Sequence, residues 1–141
     1  MSKKDSGFTL IELMVAVTII TILFMVGMAY YANFLKNSRD AKRQSDLKFI
    51  QSAMEAYHAD KLSYPPDLNS LTSGAKVYMT KLPNDPKAPQ APDYSYVPSP
   101  SGCSSQCTTY CLYAYLEGTV PNSDSVCNLL PAGYKYGVTR P

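Results

Sequence analysis

The chain has 141 residues, a formal net charge of +2 and 45% hydrophobic residues. Its length is typical of a single domain, its composition excludes gross disorder, and its small charge does not indicate a nucleic-acid-binding protein. Only one histidine, His58, is present, which excludes a metal site built on several imidazoles. No acid, nucleophile or phosphate-binding loop accompanies His58, so we expect a surface or partly packed histidine and no enzyme.

Residues 13–35 form a run of 23 residues without a formal charge or a proline. A helix of this length spans the roughly 30 Å hydrocarbon core of a membrane. A soluble core helix would be shorter and would carry a polar face. A cleavable secretory signal has a shorter apolar region that ends at small residues, whereas this run ends in Tyr30-Tyr31-Ala32-Asn33-Phe34. The pattern predicts a transmembrane helix.

The charges on either side of this run give a first indication of its orientation. The leader has a net charge of +1, from two lysines and one aspartate: Lys3, Lys4 and Asp5. The second flank has a net charge of +3, from four basic residues and one aspartate: Lys36, Arg39, Asp40, Lys42 and Arg43. A count of basic residues would therefore place the second flank in the cytoplasm.

A more specific signal argues for the opposite orientation. The segment Gly7-Phe8-Thr9-Leu10-Ile11-Glu12 joins the polar leader to the apolar run. It closely resembles the class III signal of type IV pilins and type II secretion pseudopilins. In that family a prepilin peptidase on the cytoplasmic side of the membrane cuts after the glycine and methylates the new amino terminus. The resemblance implies cleavage between Gly7 and Phe8 and N-methylation of Phe8.

The same resemblance implies a domain organisation and a location. Residues 1–7 would be the cleaved leader, 8–35 the transmembrane and assembly helix, and 36–141 an extracytoplasmic head. The protein would cross the inner membrane once with its amino terminus in the cytoplasm, and the assembled filament would lie in the envelope or on the cell surface.

Glu12 is the one carboxylate next to the apolar run. A charge near the end of a membrane span is costly unless it reaches the headgroups or finds a partner. The resemblance implies the second solution, in which Glu12 meets the N-terminal amine of a neighbouring subunit during filament assembly. Paired charges offset one another's desolvation and set the register. Many family members also carry a proline within this run; here Gly27, a poor helix former, stands nearby instead.

Residues 36–61 are predicted to continue the helix in amphipathic form. Leu47, Ile50, Met54 and Tyr57 recur at helical spacing, and Pro65 with Pro66 excludes further continuation. One helix would therefore run from residue 8 to about 60. The basic run at 36–48 is interpreted as a solvated or headgroup-level face, with acidic phospholipid or DNA as alternative partners.

Short motifs after the helix are similar to the major pseudopilin of type II secretion. They are Tyr64-Pro65, Leu82-Pro83-Asn84-Asp85-Pro86 and Tyr94-Ser95-Tyr96. The prolines block helix formation and Asp85 can close an Asx-type turn, so these residues shape the fold. Strands are predicted near 94–97, over 110–117 and over 134–139. Three antiparallel strands packed on the 47–57 stripe would give an α+β fold, and the resemblance implies the pilin lollipop.

Four cysteines are candidates for two disulfides, since the resemblance places them outside the cytoplasm: Cys103, Cys107, Cys111 and Cys127. Three connectivities are possible and the sequence does not choose between them; we favour Cys103–Cys107 with Cys111–Cys127. A single metal ion held by all four thiolates is the alternative, although the spacing does not match that of structural zinc sites.

No metal or other cofactor is predicted. Major pseudopilins commonly bind calcium through an acidic C-terminal loop. Residues 118–130 here offer a single carboxylate among their oxygen-bearing side chains: Asn122, Ser123, Asp124, Ser125 and Asn128. A single carboxylate is a small contribution to the coordination of an ion that takes about 6–8 oxygens, so calcium is kept only as the alternative.

The sequence as a whole predicts a structural filament subunit of a type IV pilus or a type II secretion pseudopilus. The implied partners are further copies or other pilin-like subunits, a prepilin peptidase, an inner-membrane assembly platform and membrane lipid; nucleic acid is not expected. Two alternatives stay open: a minor pilin whose tyrosine-rich head binds DNA, a surface or secreted cargo, and a plain membrane anchor that forms no filament.

Overall fold

The computed structural model describes residues 7–89, 93–104, 106–118 and 134–140. A long helix, α1 (Leu10–Lys61), is followed by a 3-10 helix, Leu68–Leu71. Three strands complete the order: β1 (Ser95–Ser99), β2 (Thr109–Ala114) and β3 (Tyr136–Val138). The predicted α+β class is confirmed. By its contacts the chain divides after Lys36 into an N-terminal unit and a C-terminal unit, and each is described by itself.

The predicted single helix is confirmed, since α1 runs for 52 residues from Leu10 to Lys61. No proline interrupts this stretch, and the helix continues through Gly27. It ends where Leu62 turns into the left-handed region, with φ of 55°. The Leu62 N–H still donates to the carbonyl of His58 at 2.8 Å, which satisfies one of the last helical acceptors.

The three strands form one antiparallel sheet in the order β1-β2-β3. Tyr96 lies opposite Leu112 and Leu112 opposite Val138, so β2 is the central strand. All three predicted strands exist, but β2 ends at Ala114, three residues before the predicted Glu117. The reason is tertiary: the backbone N–H of Glu117 donates to the Asp40 side chain, not to a neighbouring strand.

The core of the C-terminal unit lies between the sheet and α1. Leu47, Ile50 and Met54 are fully buried on the helix. From β2, Tyr110 and Leu112 are fully buried in the same cluster. The predicted packing of one sheet face on the 47–57 stripe is therefore confirmed. Apolar residues three or four apart line one face of the helix, alternate residues line one face of the strand, and these two apolar faces pack together.

Local hydrogen bonds fix the segment that joins α1 to the sheet. Asp67 caps the 3-10 helix by accepting from the Ser70 N–H at 3.1 Å. The backbone N–H of Tyr64 donates to the carbonyl of Cys107 at 2.8 Å, and the Tyr96 hydroxyl donates to the carbonyl of Pro65. The Tyr-Pro motif thus places the chain against the sheet as soon as the helix ends.

Candidate functional site

The N-terminal motif forms a reciprocal cap on α1. One Glu12 carboxylate oxygen accepts hydrogen bonds from the Thr9 backbone N–H at 2.9 Å and from the Thr9 hydroxyl at 2.7 Å. The Glu12 N–H lies 3.3 Å from the Thr9 Oγ1. This is a capping box, in which residues three apart satisfy free amides at the start of a helix. The Thr-x-x-Glu signal was present in the sequence, and our sequence reasoning missed it.

The capping box accounts for how Glu12 is held within one chain. A Glu12 carboxylate that reaches back to Thr9 lies at the positive end of the helix dipole, where negative charge is stabilised. Gly7 and Phe8 precede the helix and are exposed. The scissile bond predicted between them therefore lies in non-helical, accessible backbone, which is the form of chain a peptidase can bind.

The helix that follows is apolar, and its apolar window is not covered by other parts of the described chain. By length and composition α1 is long and apolar enough to cross a membrane, and none of its most apolar window is buried within the protein. The hydroxyls of Thr18 and Thr21 donate to carbonyls of their own helix, at 2.8 Å to Val15 and Val17 respectively. Both hydroxyls thus form hydrogen bonds within their own helix and need no partner from another segment, as apolar surroundings require.

Arg43 is the centre of an ion cluster in the C-terminal unit. Its side chain is 0% exposed, and its guanidinium donates to both oxygens of Asp85, at 2.6 and 2.9 Å. Its Nη1 also donates to Asp40 at 2.7 Å and to Glu117 at 3.0 Å. Hydrogen bonding to Asp85 is the main influence that raises the pKa of Arg43, so this buried arginine stays charged.

Glu117 brings two more cations into the cluster. Arg39 donates to it twice, each time at 2.7 Å, and the Lys87 ammonium lies 2.8 Å away. The hydrogen bonds from Arg39 are the main reason that the pKa of Glu117 falls well below its usual range. Three cations face three carboxylates, and the formal charges of the cluster cancel: Arg39, Arg43 and Lys87 against Asp40, Asp85 and Glu117.

Asp40 links this cluster to the backbone that leaves the sheet. Its carboxylate accepts the backbone N–H groups of Glu117 at 3.0 Å and Gly118 at 2.8 Å. A Cβ added at Gly118 would lie 3.2 Å from the Asp40 Oδ2, so only glycine fits without a shift. The cluster therefore clamps the chain after β2 onto the part of α1 that begins the C-terminal unit.

The interpretation of residues 36–48 as a solvated or headgroup-level face was wrong in part. Arg43, Asp40 and Asp46 are buried. Lys42 lies 2.7 Å from Asp46, whose other oxygen accepts from the Tyr94 hydroxyl. Two of the three carboxylate partners of Arg43, Asp85 and Glu117, lie 42 and 74 positions away, and no local pattern signals such distant pairs. Contacts within the fold therefore account for Arg39 and Arg43, whereas Lys36, Lys42 and Lys48 are exposed, as the prediction had it.

The motif around Asp85 shapes the fold, as predicted. Asp85 closes a turn by accepting from the Lys87 N–H at 2.7 Å and accepts from Arg43 on its other side. Burial alone would raise the pKa of Asp85, but the Arg43 guanidinium and the Lys87 amide outweigh it and lower that pKa. The Leu-Pro-Asn-Asp-Pro segment is thus an anchor for α1.

A disulfide joins Cys103 to Cys107, with 5.5 Å between their Cα atoms. This half of the favoured pairing is confirmed. It excludes the alternative in which all four thiolates hold one metal ion, since two of them are joined. Cys111 is not free, and Cys127 lies outside the described residues, so the second half of the pairing stays a prediction.

The remaining positions considered from the sequence are His58 and the candidate metal ligands. His58 is half-buried and stacks on Tyr64 at 4.6 Å between ring centroids, as expected for a partly packed histidine. Across the described ranges no group of three or more His, Cys, Asp or Glu side chains could hold a metal ion. Most of the 118–130 segment considered for calcium lies outside the described residues, so that expectation stays open.

Comparison with known proteins shows the family to which this chain is related. Residues 2–28 match the prokaryotic N-terminal methylation motif. The competence protein ComGC of Halalkalibacterium halodurans is 30% identical over 83 residues, which cover 59% of this chain and 81% of that protein. The type II secretion system core protein G of Vibrio cholerae is 31% identical over 114 residues, covering 67% of this chain and 72% of its own. This chain belongs to the type IV pilin and pseudopilin family.

A third relative is the type IV major pilin PilA of Myxococcus xanthus, 31% identical over 68 residues, which are 48% of this chain and 31% of the pilin. No solved structure matches the chain significantly. Pilins and pseudopilins are structural proteins that form filaments with other pilins, and this chain is a structural subunit of such a filament. The motif and the bare apolar helix indicate that this pilin is anchored in a membrane.

Proposed function

We propose that this pilin is made as a precursor, cut between Gly7 and Phe8 by a prepilin peptidase and methylated on Phe8. The mature subunit then polymerises through α1 into a type IV pilus-like or type II secretion filament. The observation that carries the proposal is the N-terminal site itself: exposed, non-helical backbone at Gly7 and Phe8, followed at once by a capped apolar helix with one carboxylate.

The leader stays in the cytoplasm in this proposal, and residues 36–141 lie outside. The count of basic residues that favours the reverse orientation is explained by folding, because Arg39, Arg43 and Lys42 each contact a carboxylate in the C-terminal unit. Because these residues form ion pairs within the folded unit, their number is a poor guide to topology. The disulfide between Cys103 and Cys107 also suits an oxidising compartment outside the cytoplasm.

Processing is tested by intact mass and N-terminal sequencing of the protein isolated from its native membrane. We expect a chain that begins at N-methylated Phe8. A chain that still begins at Met1, in cells whose prepilin peptidase is active, would contradict the proposal.

We further propose that Glu12 exchanges partners during assembly. In one chain its carboxylate is held by Thr9; in the filament it would pair with the N-terminal amine of a neighbouring copy. Two charges in apolar surroundings offset each other's desolvation, and the pair would fix the register between subunits. The packing of apolar helices would supply most of the stability.

Two substitutions separate this role from helix capping. Glu12→Gln keeps a side chain that completes a capping box but removes the charge, so we expect filaments to be lost while the protein is still made and processed. Thr9→Val removes the capping hydroxyl and leaves the charge, so filaments should persist. Filaments in the Glu12→Gln variant, counted by electron microscopy and by shearing, would refute the pairing.

A further inference from the structure

Leu62 combines two features that are unfavourable in an isolated subunit. The first is its backbone, which has φ of 55° directly after α1. This left-handed position after a helix is usually taken by glycine or asparagine, because a bulky side chain there is strained. Across the described residues, Leu62 is the one residue other than glycine with a positive φ.

The second feature is exposure. Leu62 is 84% exposed, against 59% for Phe49, 53% for Val77 and 44% for Val97, the other large apolar residues exposed in the described part of the C-terminal unit. Its surroundings are polar. A surface cavity of about 390 Å³ beside it is lined mainly by polar groups: Lys61, Leu62, Ser63, Gln106, Cys107 and Thr108.

Glycine at position 62 would relieve the strain and remove the exposed apolar surface at the same time. Leucine at this position therefore contributes nothing visible to the stability of the isolated subunit. An apolar anchor inside a polar rim is the anatomy of a protein interface. The anchor is also well positioned, because the Tyr64 N–H bonds the Cys107 carbonyl two residues later and Cys107 is tied to Cys103. A held anchor loses little freedom on binding.

We propose that Leu62 is a docking residue that inserts into the surface of a second copy of this chain in the filament. The inference rests on the proposed assembly into a filament. A filament joins different surface patches of identical subunits, so an exposed anchor on one copy meets another part of the next. A lipid chain would not require the polar rim around Leu62, which favours protein as the partner.

The first test uses the full chain, expressed with its assembly machinery. Leu62→Gly and Leu62→Asn remove the anchor and suit the left-handed backbone, whereas Leu62→Met keeps an apolar side chain. Val77→Ser removes another exposed apolar side chain and serves as the matched control. We expect filament yield to fall about tenfold in the first two variants and to stay near the wild-type level in the other two.

Thermal unfolding of the same variants distinguishes docking from a structural role. The Tm of the Leu62→Gly and Leu62→Asn proteins should be no lower than that of the wild type, since the strain is relieved. A lower Tm in both would show that Leu62 supports the subunit's own fold and would overturn the proposal. So would wild-type filament yield in both.

The partner is identified by placing the photo-crosslinking residue p-benzoylphenylalanine at position 62. Irradiation of assembled filaments should give a ladder at multiples of the subunit mass. Crosslinks to lipid alone, or to a different protein alone, would overturn the choice of a second copy. The proposal of filament assembly and the proposal of a docking role for Leu62 can fail separately. Absence of wild-type filaments would refute assembly, whereas normal filaments of the Leu62→Gly variant would refute only the docking role.

Discussion

Arg43 on α1 and Asp85 in the Leu-Pro-Asn-Asp-Pro segment form a buried two-point ion pair, with nitrogen–oxygen distances of 2.6 and 2.9 Å. Both side chains are 0% exposed. A planar guanidinium matches a carboxylate at two points, so the pair fixes orientation as well as distance. Through Asp85 and Glu117 the same arginine ties two distant loops to the first turns of the C-terminal unit.

The first prediction concerns this pair. Arg43→Met leaves Asp85 buried without its cation and should lower the free energy of unfolding by about 3–5 kcal/mol. The matched double variant, Arg43→Met with Asp85→Leu, removes both charges and should recover part of the loss. Thermal and urea unfolding of the full chain in detergent would measure both. A double variant that loses the sum of the two single losses would contradict the coupling.

The second prediction is an acid transition. The pKa values of Asp85 and Glu117 are lower in the folded chain than their ordinary values of 3.8 and 4.5. Their contribution to stability is therefore complete above those values and is lost as the pH falls below them. We expect Tm to drop steeply below about pH 4, and Glu117→Gln to flatten that drop. An unchanged slope in this variant would show that other carboxylates dominate.

The third prediction is an alkaline transition. Burial, helped by the hydrogen bond to Glu55, raises the pKa of Tyr64 to about 12 from its ordinary value of 10.0. The neutral phenol thus stabilises the fold below pH 10, and this contribution is lost as the pH rises towards 12. Tyr64→Phe removes the ionisable group, so its Tm should fall less than the wild-type Tm over this interval. Circular dichroism between pH 9 and about pH 12 measures the difference.

The fourth prediction concerns the short disulfide. It closes a loop with a sequence separation of 4, for which chain entropy predicts a stabilisation of about 2 kcal/mol. The Cys103→Ser, Cys107→Ser double variant should lose about that much by urea unfolding. It should also loosen the segment after α1, because the Cys107 carbonyl accepts from the Tyr64 N–H. Unchanged hydrogen exchange at Tyr64 would argue against that link.

The fifth prediction is a steric one at the outer strand. A Cβ at Gly137 would lie 2.8 Å from the Tyr113 ring carbon Cδ1, closer than packing allows. Gly137→Ala should therefore cost about 1–3 kcal/mol, whereas Gly27→Ala, at a position on α1 where an added Cβ meets nothing within 4 Å, should not destabilise the protein. Adding Tyr113→Ala to the Gly137→Ala variant should relieve the clash but forfeit the packing of a nearly buried ring.

The sequence by itself determined the features that depend on local order. An uncharged run of helical length predicts the apolar part of α1, because length and hydropathy are properties of neighbouring residues. The 3.6-residue spacing of Leu47, Ile50 and Met54 and the alternation along β2 predict which faces meet in the core. The Gly-Phe-Thr-Leu-Ile-Glu motif predicts the family, since its meaning lies in consecutive residues.

Only the tertiary structure decided which charged side chains pair with one another. The basic run after the apolar helix looks like a solvent or membrane face, because its carboxylate partners Asp85 and Glu117 are more than 40 positions away along the chain. The early end of β2 has the same origin, since Asp40 accepts the backbone N–H of Glu117, the last residue of the predicted strand. Pairing between distant charges and the strained backbone at Leu62 arise when separate segments pack together, so no local pattern records them.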